Sequence, residues 1–243
     1  MEYIKVLATD STNTELKQRF RQNKRMPNTV LNANHQRKGR GQRQGTWNTS
    51  ANKNLTFSLL LKNIKLPVDT NFKLSALVSL AVAEQLQQIA PKANISIKWP
   101  NDILAGNKKI CGILIENMLQ KTAIEHSIIG IGLNVNQTDF AGLPQAGSLK
   151  TVTHRDYKLE ELLVLLAEAV EQKVYNGLQT PLSTIITTYE QHLFQHQLSS
   201  TFQFPNGEKR VGKIQGISSS GHLKILFETG LHYFDLKEIK LLY

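Results

Sequence analysis

The 243-residue chain has a single cysteine and only two tryptophans, and its basic side chains outnumber its acidic ones. The lone thiol, Cys111, excludes an internal disulfide and a multi-cysteine metal cluster. It points to a reducing, cytoplasmic setting. No apolar run is long enough to cross a bilayer, so no membrane association is expected. The opening residues Met1-Glu2-Tyr3-Ile4-Lys5-Val6 read as an immediate strand and not as a secretory signal. No internal repeat or low-complexity tract is present. The shortage of acid, 19 Asp and Glu against 29 Lys and Arg, leaves a formal charge of +10. That excess favours anionic partners: nucleotides, nucleic acid or an acidic protein. It is spread along the chain, whereas a dedicated nucleic-acid surface would concentrate it on one element.

Apolar residues make up 40% of the chain, enough for a core, and the length suits one large domain with or without a small one. A short strand is expected over residues 3–8. A helix then starts near Thr12, with Thr12 and Glu15 spaced as a capping box. Strands are expected at 29–33, 54–61 and 95–99, the last stopped by Pro100. Residues 72–90 carry Leu74, Leu77, Val78, Ala81 and Ile89 at helical spacing. Residues 109–117 and 123–135 read as a hairpin-rich sheet, followed by helices over 159–175 and 182–194. After His196 the pattern changes to short alternating segments broken by Pro205-Asn206-Gly207-Glu208 and Ser219-Ser220-Gly221. The expected organisation is α+β: a mixed-sheet domain over 1–197 and a small all-β barrel over 198–243.

Four segments have residue types suited to chemistry. The basic run HQRKGRGQRQGTW, residues 35–47, holds no apolar residue before Trp47. It could be a solvated loop, a nucleic-acid arm, a phosphate cradle built on Gly39 and Gly41, or a lid ordered by its ligand. It is not a Walker A motif, because no Gly-Lys-Ser/Thr follows. Asn101 and Asp102 follow the strand that ends Lys98-Trp99-Pro100, where they serve either as turn formers or as contacts for a nucleotide and its Mg²⁺. Lys109 stands at the mouth of an apolar strand, as a plain charged end or as a cation for developing negative charge. Gly130 and Gly132 alternate, so they share one strand face, which suits either a bulge or the close approach of a flat ring.

Taken as a set, these motifs resemble the biotin–protein ligase family. The resemblance is carried by Ser11-Thr12-Asn13, Gly39-Arg40-Gly41-Gln42-Arg43 ending at Trp47, and Lys98-Trp99-Pro100-Asn101-Asp102. It continues through Lys109-Ile110-Cys111-Gly112-Ile113-Leu114-Ile115-Glu116 and Gly130-Ile131-Gly132-Leu133-Asn134. It covers nearly the whole chain and implies the mixed-sheet catalytic domain of the biotin/lipoate ligase superfamily with a C-terminal SH3-like β-barrel. It further implies that ATP activates biotin to biotinyl-5′-AMP, after which biotin passes to a lysine of a biotin carboxyl carrier protein of acetyl-CoA carboxylase.

By the same resemblance, Lys109 and Arg40 are the catalytic cations. Biotin would be held by Ser11, Thr12, Asn13, Gln36, Arg40, Gly41, Gln42, Lys109, Gly130 and Gly132. ATP would meet Arg40, Gln42, Arg43, Asn101, Asp102 and Asn134, with Asp102 also touching the Mg²⁺ that accompanies it. Gln42 and Gln44 depart from the family, which often has Arg and Gly there. Some relatives carry an N-terminal DNA-binding domain. The first strand here is expected at residue 3, so the monofunctional type without operator binding is expected. The family includes monomers and dimers, so a homodimer is compatible with it. The alternatives are a lipoate–protein ligase, a basic nucleic-acid-binding protein and a non-catalytic carrier-binding module.

Overall fold

The structure is a computed structural model that describes residues 1–42, 45–47 and 50–243. Strand β1 (Glu2–Thr9) leads through helix α1 (Thr12–Gln22) to β2 (Thr29–Gln36). The β1–β2 pair is parallel, as a helical crossover between neighbouring strands allows. β3 (Asn54–Leu61), β4 (Leu66–Pro67), helix α2 (Asn71–Ile89), β5 (Ile95–Lys98) and β6 (Asp102–Ala105) follow. The long hairpin β7 (Lys108–Gln120) and β8 (Ala123–Asn134) completes the first sheet, in order β1-β2-β3-β8-β7-β6-β5 with β4 also on β8. Apart from β1–β2, every pairing in it is antiparallel.

The two faces of this sheet are covered unequally. One face packs on α2 and on α4 (Leu159–Gly177), with α5 (Leu182–Gln191) against α2. α2 is apolar on nearly every side because it lies between the sheet and α4. The other face is covered at one end by α1, whose Leu16 and Phe20 meet Leu31, Leu60 and Ile128. The rest of that face is left for the loops that carry the motifs. β3 is buried along its whole length, as its continuous apolar run requires at the centre of the sheet.

The helix at Thr12 forms, but without the expected capping box. Ser11 is the N-cap, and its side chain makes no cap bond. Glu15 pairs with Arg19 one turn on, at 2.7 Å. Thr12 lies inside the helix, and its hydroxyl is engaged elsewhere, as described below. Short elements escaped the sequence pattern, among them β4, β6 and the short helix α3 (Leu149–Thr153). Each is too short to show a period.

Residues after 198 form a second sheet of β9 (Ser199–Gln203), β10 (Lys209–Ile217), β11 (Leu223–Phe227), β12 (Gly230–Phe234) and β13 (Lys240–Leu242). Its order is β12-β11-β10-β9-β13, antiparallel throughout. The expected barrel is therefore an open sheet in its strand pairing: the three-residue β13 ends on β9, and no pairing with β12 closes a ring.

Burial sets the stability of this scaffold. Leu80, 1% exposed within α2, contrasts with Leu7, 82% exposed on edge strand β1. Leu80→Ala is expected to cost about 2–5 kcal/mol, and Leu7→Ala less than about 0.5 kcal/mol. Urea unfolding of the two variants checks this; equal losses would contradict the assigned core.

Candidate functional site

One row of residues crosses the first sheet: Lys98, Asp102, Gly112, Gly132, Thr56 and Ala33 are successive partners from β5 to β2. Residues paired directly across strands point to one face. Gly112 and Gly132 therefore leave a bare strip between Thr56 and Asp102. Trp47 lies on that strip. A Cβ on Gly112 would stand 3.0 Å from its ring, and one on Gly132 would collide with the indole outright. At Gly130 a Cβ would collide with Oδ1 of Asn13. The close approach expected at Gly130 and Gly132 is thus present, but the groups that approach are the chain's own Asn13 and Trp47.

Beside Gly130 lies a neutral hydrogen-bonding network. Gln36 Oε1, at the end of β2, accepts from the Thr12 amide at 2.8 Å and from its hydroxyl at 3.1 Å. Ser58 Oγ stands 2.7 Å from Thr12 Oγ1 and 2.6 Å from Asn13 Oδ1. Asn13 Nδ2 donates to Glu116 Oε2 at 2.9 Å and to the Leu114 carbonyl at 3.2 Å. Ser11, Thr12, Asn13 and Ser58 are all buried. Desolvated polar groups need partners, and here they supply them to one another.

The other end of the site is charged. The basic segment turns back on itself: Trp47 N donates to Gly39 O at 2.9 Å, and Arg40 bridges Thr46. This turn carries Arg40 to Glu116, 2.9 Å away. Lys17 reaches the same carboxylate at 3.5 Å. Burial pushes the Glu116 carboxyl up, but the Asn13 amide and the Arg40 and Lys17 charges outweigh it, and its pKa lies below the ordinary carboxylate value.

Lys109 reaches this face through a break in register. The β6–β7 pairing slips between Ile103 and Leu104, so β7 passes two residues where β6 passes one. Without the slip, Lys109 would share the face of buried Cys111. With it, Lys109 Cε lies 3.6 Å from where a Gly112 Cβ would stand. Its ammonium is 2.7 Å from Asp102 and 5.5 Å from the centre of the Trp47 ring. Each of the two expected catalytic cations is therefore held by a carboxylate of the site.

Two cavities meet here. The first, of about 240 Å³, is lined by Ser11, Thr12, Asn13, Gln36, Arg40, Gly41, Gln42, Asn101, Asp102, Lys109, Gly130 and Gly132, with Trp47 and Phe57 among the others. The second, of about 470 Å³, is lined by Asn134 and Lys98 and shares Trp47, Asp102 and Lys109 with the first. Asn134 is buried, and its amide donates to Gly147 O at 2.9 Å. Asn101 donates to Ile113 O at 2.8 Å, tying the turn before β6 to β7. Arg43 lies outside the described residues.

Linear patterns assign no role to Glu116, Ser58, Trp47 or Lys98. Glu116 and Trp47 end motifs that were recognised, but nothing in a linear pattern joins Glu116 to Asn13. Among the described residues, no three His, Cys, Asp or Glu side chains gather in a set able to hold a metal. One carboxylate, Asp102, fits an ion that arrives on phosphate oxygens and does not fit a resident one. No helix is long and apolar enough to cross a membrane among the described residues.

Residues 5–134 match the Biotin/lipoate A/B protein ligase family, just over half the chain. A biotin–[acetyl-CoA-carboxylase] ligase of Mycobacterium tuberculosis is 34% identical over 146 residues, covering 59% of this chain and 53% of the relative. The bifunctional ligase/repressor BirA of Bacillus subtilis is 28% identical over 223 residues, covering 88% and 66%. This chain thus spans about half to two thirds of the length of these relatives. The structure of the Aquifex aeolicus biotin protein ligase in complex with biotin and ATP superposes with a TM-score of 0.79 at 27% identity, covering 99% of this chain and 98% of that one.

The depressed Glu116 pKa fixes the sign of a pH effect. Its contribution to stability is complete above its unfolded value, near the ordinary 4.5, and is lost as pH falls through the lower folded value. Between about pH 5 and pH 3, wild type is expected to lose stability more steeply than Glu116→Gln. Urea midpoints across that range check it; parallel curves would contradict the ion-pair assignment.

Proposed function

The chain belongs to the biotin/lipoate A/B protein ligase family, and we propose that it is an ATP-dependent biotin–protein ligase. The observation that carries this is the polarity of the 240 Å³ cavity: a neutral network of Thr12, Asn13 and Gln36 at one end, Arg40 and Lys109 at the other. The ureido ring of biotin has one carbonyl and two N–H groups to exchange with such a network. The dithiolane of lipoate has none, so it would gain nothing from opening a network whose members already satisfy one another. Sites built to hydrogen-bond a substrate reject analogues that lack the matching group.

Residues 1–197 are taken as the catalytic domain and 198–243 as a C-terminal domain. Biotin lies with its ring toward Ser11, Thr12, Asn13, Gln36 and Gly130, and its carboxylate toward Arg40, Gly41, Gln42 and Lys109. ATP enters the adjoining cavity by Asn134, with Asn101, Asp102 and Gln42 near the phosphates. A carboxylate oxygen attacks the α-phosphorus, the bond to the β-phosphate oxygen breaks, and pyrophosphate leaves. Two anions must approach, so cations fixed beside them lower the barrier. Mg²⁺ carried by ATP would take Asp102 as an oxygen ligand, which frees Lys109 for the developing charge. Trp47 must move from Gly132 for the strip to receive a ligand. A lysine amine of a biotin carboxyl carrier protein of acetyl-CoA carboxylase then attacks the mixed anhydride, and AMP leaves. No protein nucleophile is needed, and catalysis is positioning with charge stabilisation.

Lys109→Ala is expected to slow biotin-dependent pyrophosphate release by about 10²- to 10³-fold while circular dichroism stays that of the wild type. Near-normal turnover in a folded Lys109→Ala protein would overturn the assignment.

A further inference from the structure

The neutral end of the 240 Å³ cavity has more oxygen–oxygen contacts than hydrogens to fill them. Three contacts run in a chain: Gln36 Oε1 to Thr12 Oγ1 at 3.1 Å, Thr12 Oγ1 to Ser58 Oγ at 2.7 Å, and Ser58 Oγ to Asn13 Oδ1 at 2.6 Å. The two amide oxygens are fixed by other bonds. Gln36 turns its oxygen to Thr12 because it also accepts from the Thr12 backbone amide. Asn13 turns its oxygen to Ser58 because its Nδ2 is engaged by Glu116 and the Leu114 carbonyl. An amide oxygen only accepts, and each hydroxyl has one hydrogen. Two hydrogens therefore serve three contacts.

The Asn13 oxygen cannot donate, so the Ser58 hydrogen goes to Asn13. The Thr12 hydrogen then has two acceptors within reach, and it can meet only one at a time. Its contact with Gln36 is long for a hydroxyl bond, whereas the contact with Ser58 has the usual length of about 2.7–2.8 Å. Gln36, Thr12 and Asn13 line the cavity. Ser58 lies behind them on β3, 0% exposed, and does not line it.

We propose that Ser58 is a positioning residue for the ring of the acid substrate. When a ring N–H claims Gln36 Oε1, the Thr12 hydroxyl turns to Ser58 Oγ. The ligand bond is then made without leaving a buried hydroxyl unpaired, a loss that would otherwise offset it. No covalent bond changes; one hydroxyl rotates. A ring with oxygen in place of that N–H would set lone pairs against the Gln36 oxygen. The inference rests on the ligase reading above, in which a ureido ring enters here.

The test is calorimetric titration of the full chain with biotin and with its two carbamate analogues, in each of which one ring N–H is replaced by oxygen. Wild type is expected to bind one of the two at least about tenfold more weakly than biotin. Ser58→Ala is expected to bind biotin about tenfold more weakly than wild type and to shrink the penalty on that analogue to within about threefold. The KM for biotin should rise in parallel, while the KM for ATP stays within about twofold. Ser58→Thr, which keeps the hydroxyl, should restore most of the biotin affinity. With Thr12→Val in place, adding Ser58→Ala should cost less than about a further twofold, because the hydrogen it receives is already gone. Biotin affinity unchanged in Ser58→Ala, or both analogues bound by wild type as tightly as biotin, would overturn the inference and leave the ligase reading intact. So would an analogue penalty that Ser58→Ala leaves unchanged, or losses that simply add in the double variant, since either would make Ser58 a packing residue. No biotin binding by folded wild type would sink the ligase reading and the inference with it.

Discussion

Two ion pairs, Lys109 with Asp102 at 2.7 Å and Arg40 with Glu116 at 2.9 Å, set the terms for the rest of the site. Cations brought close together in a small, covered cavity repel one another and lose hydration. Each is tolerable here because a carboxylate stands beside it. Neither pair is deeply enclosed, since the lysine and arginine side chains are 34% and 46% exposed, so neither is a strong source of stability. What the pairs provide is positioned charge that a better anion can claim. A carboxylate and a triphosphate bring more negative charge than Asp102 and Glu116 supply, and on the proposed reaction they would draw the two cations toward the junction between the cavities.

That arrangement depends on a rigid backbone beneath it. The β7–β8 hairpin is flanked by β3 and β6 and backed by the large core, so the Gly112–Gly132 strip cannot shift independently. The register slip between β6 and β7 turns Lys109 onto the strip. The segment from Gly39 to Trp47 is different in kind. Among its described residues, Arg40 pairs with Glu116 and the Trp47 indole lies on the glycines. On the proposed reaction these two contacts would have to release for a ligand to enter and re-form to shield the adenylate from water.

Much of this was legible in the sequence, for identifiable reasons. The 54–61 strand and the 72–90 helix followed from long, strong apolar patterns, and the structure places them at Asn54–Leu61 and Asn71–Ile89. The family resemblance named the motif residues from Ser11 to Gly132 together, and those the structure describes gather around the 240 Å³ cavity from helix α1, from turns and from strand faces. The Thr12–Glu15 capping box was misjudged because a local pattern cannot show that Ser58, 46 residues away, stands against the Thr12 hydroxyl. Glu116 escaped a role for the same reason, since its partners Asn13 and Arg40 are 103 and 76 residues distant. Gly130 and Gly132 suited either a bulge or a flat ring, and the structure sets the chain's own Asn13 and Trp47 against them, which a sequence cannot show.

On the proposed function, the neutral end of the cavity selects a ureido ring and the charged end drives its activation. The most direct measurement is pyrophosphate release from ATP·Mg²⁺ with biotin or with lipoate, and with no carrier protein added. Release with biotin alone, together with biotinyl-AMP retained on the protein, is the predicted result. Release with lipoate and not with biotin would contradict the account and assign the cavity to the other acid of the family.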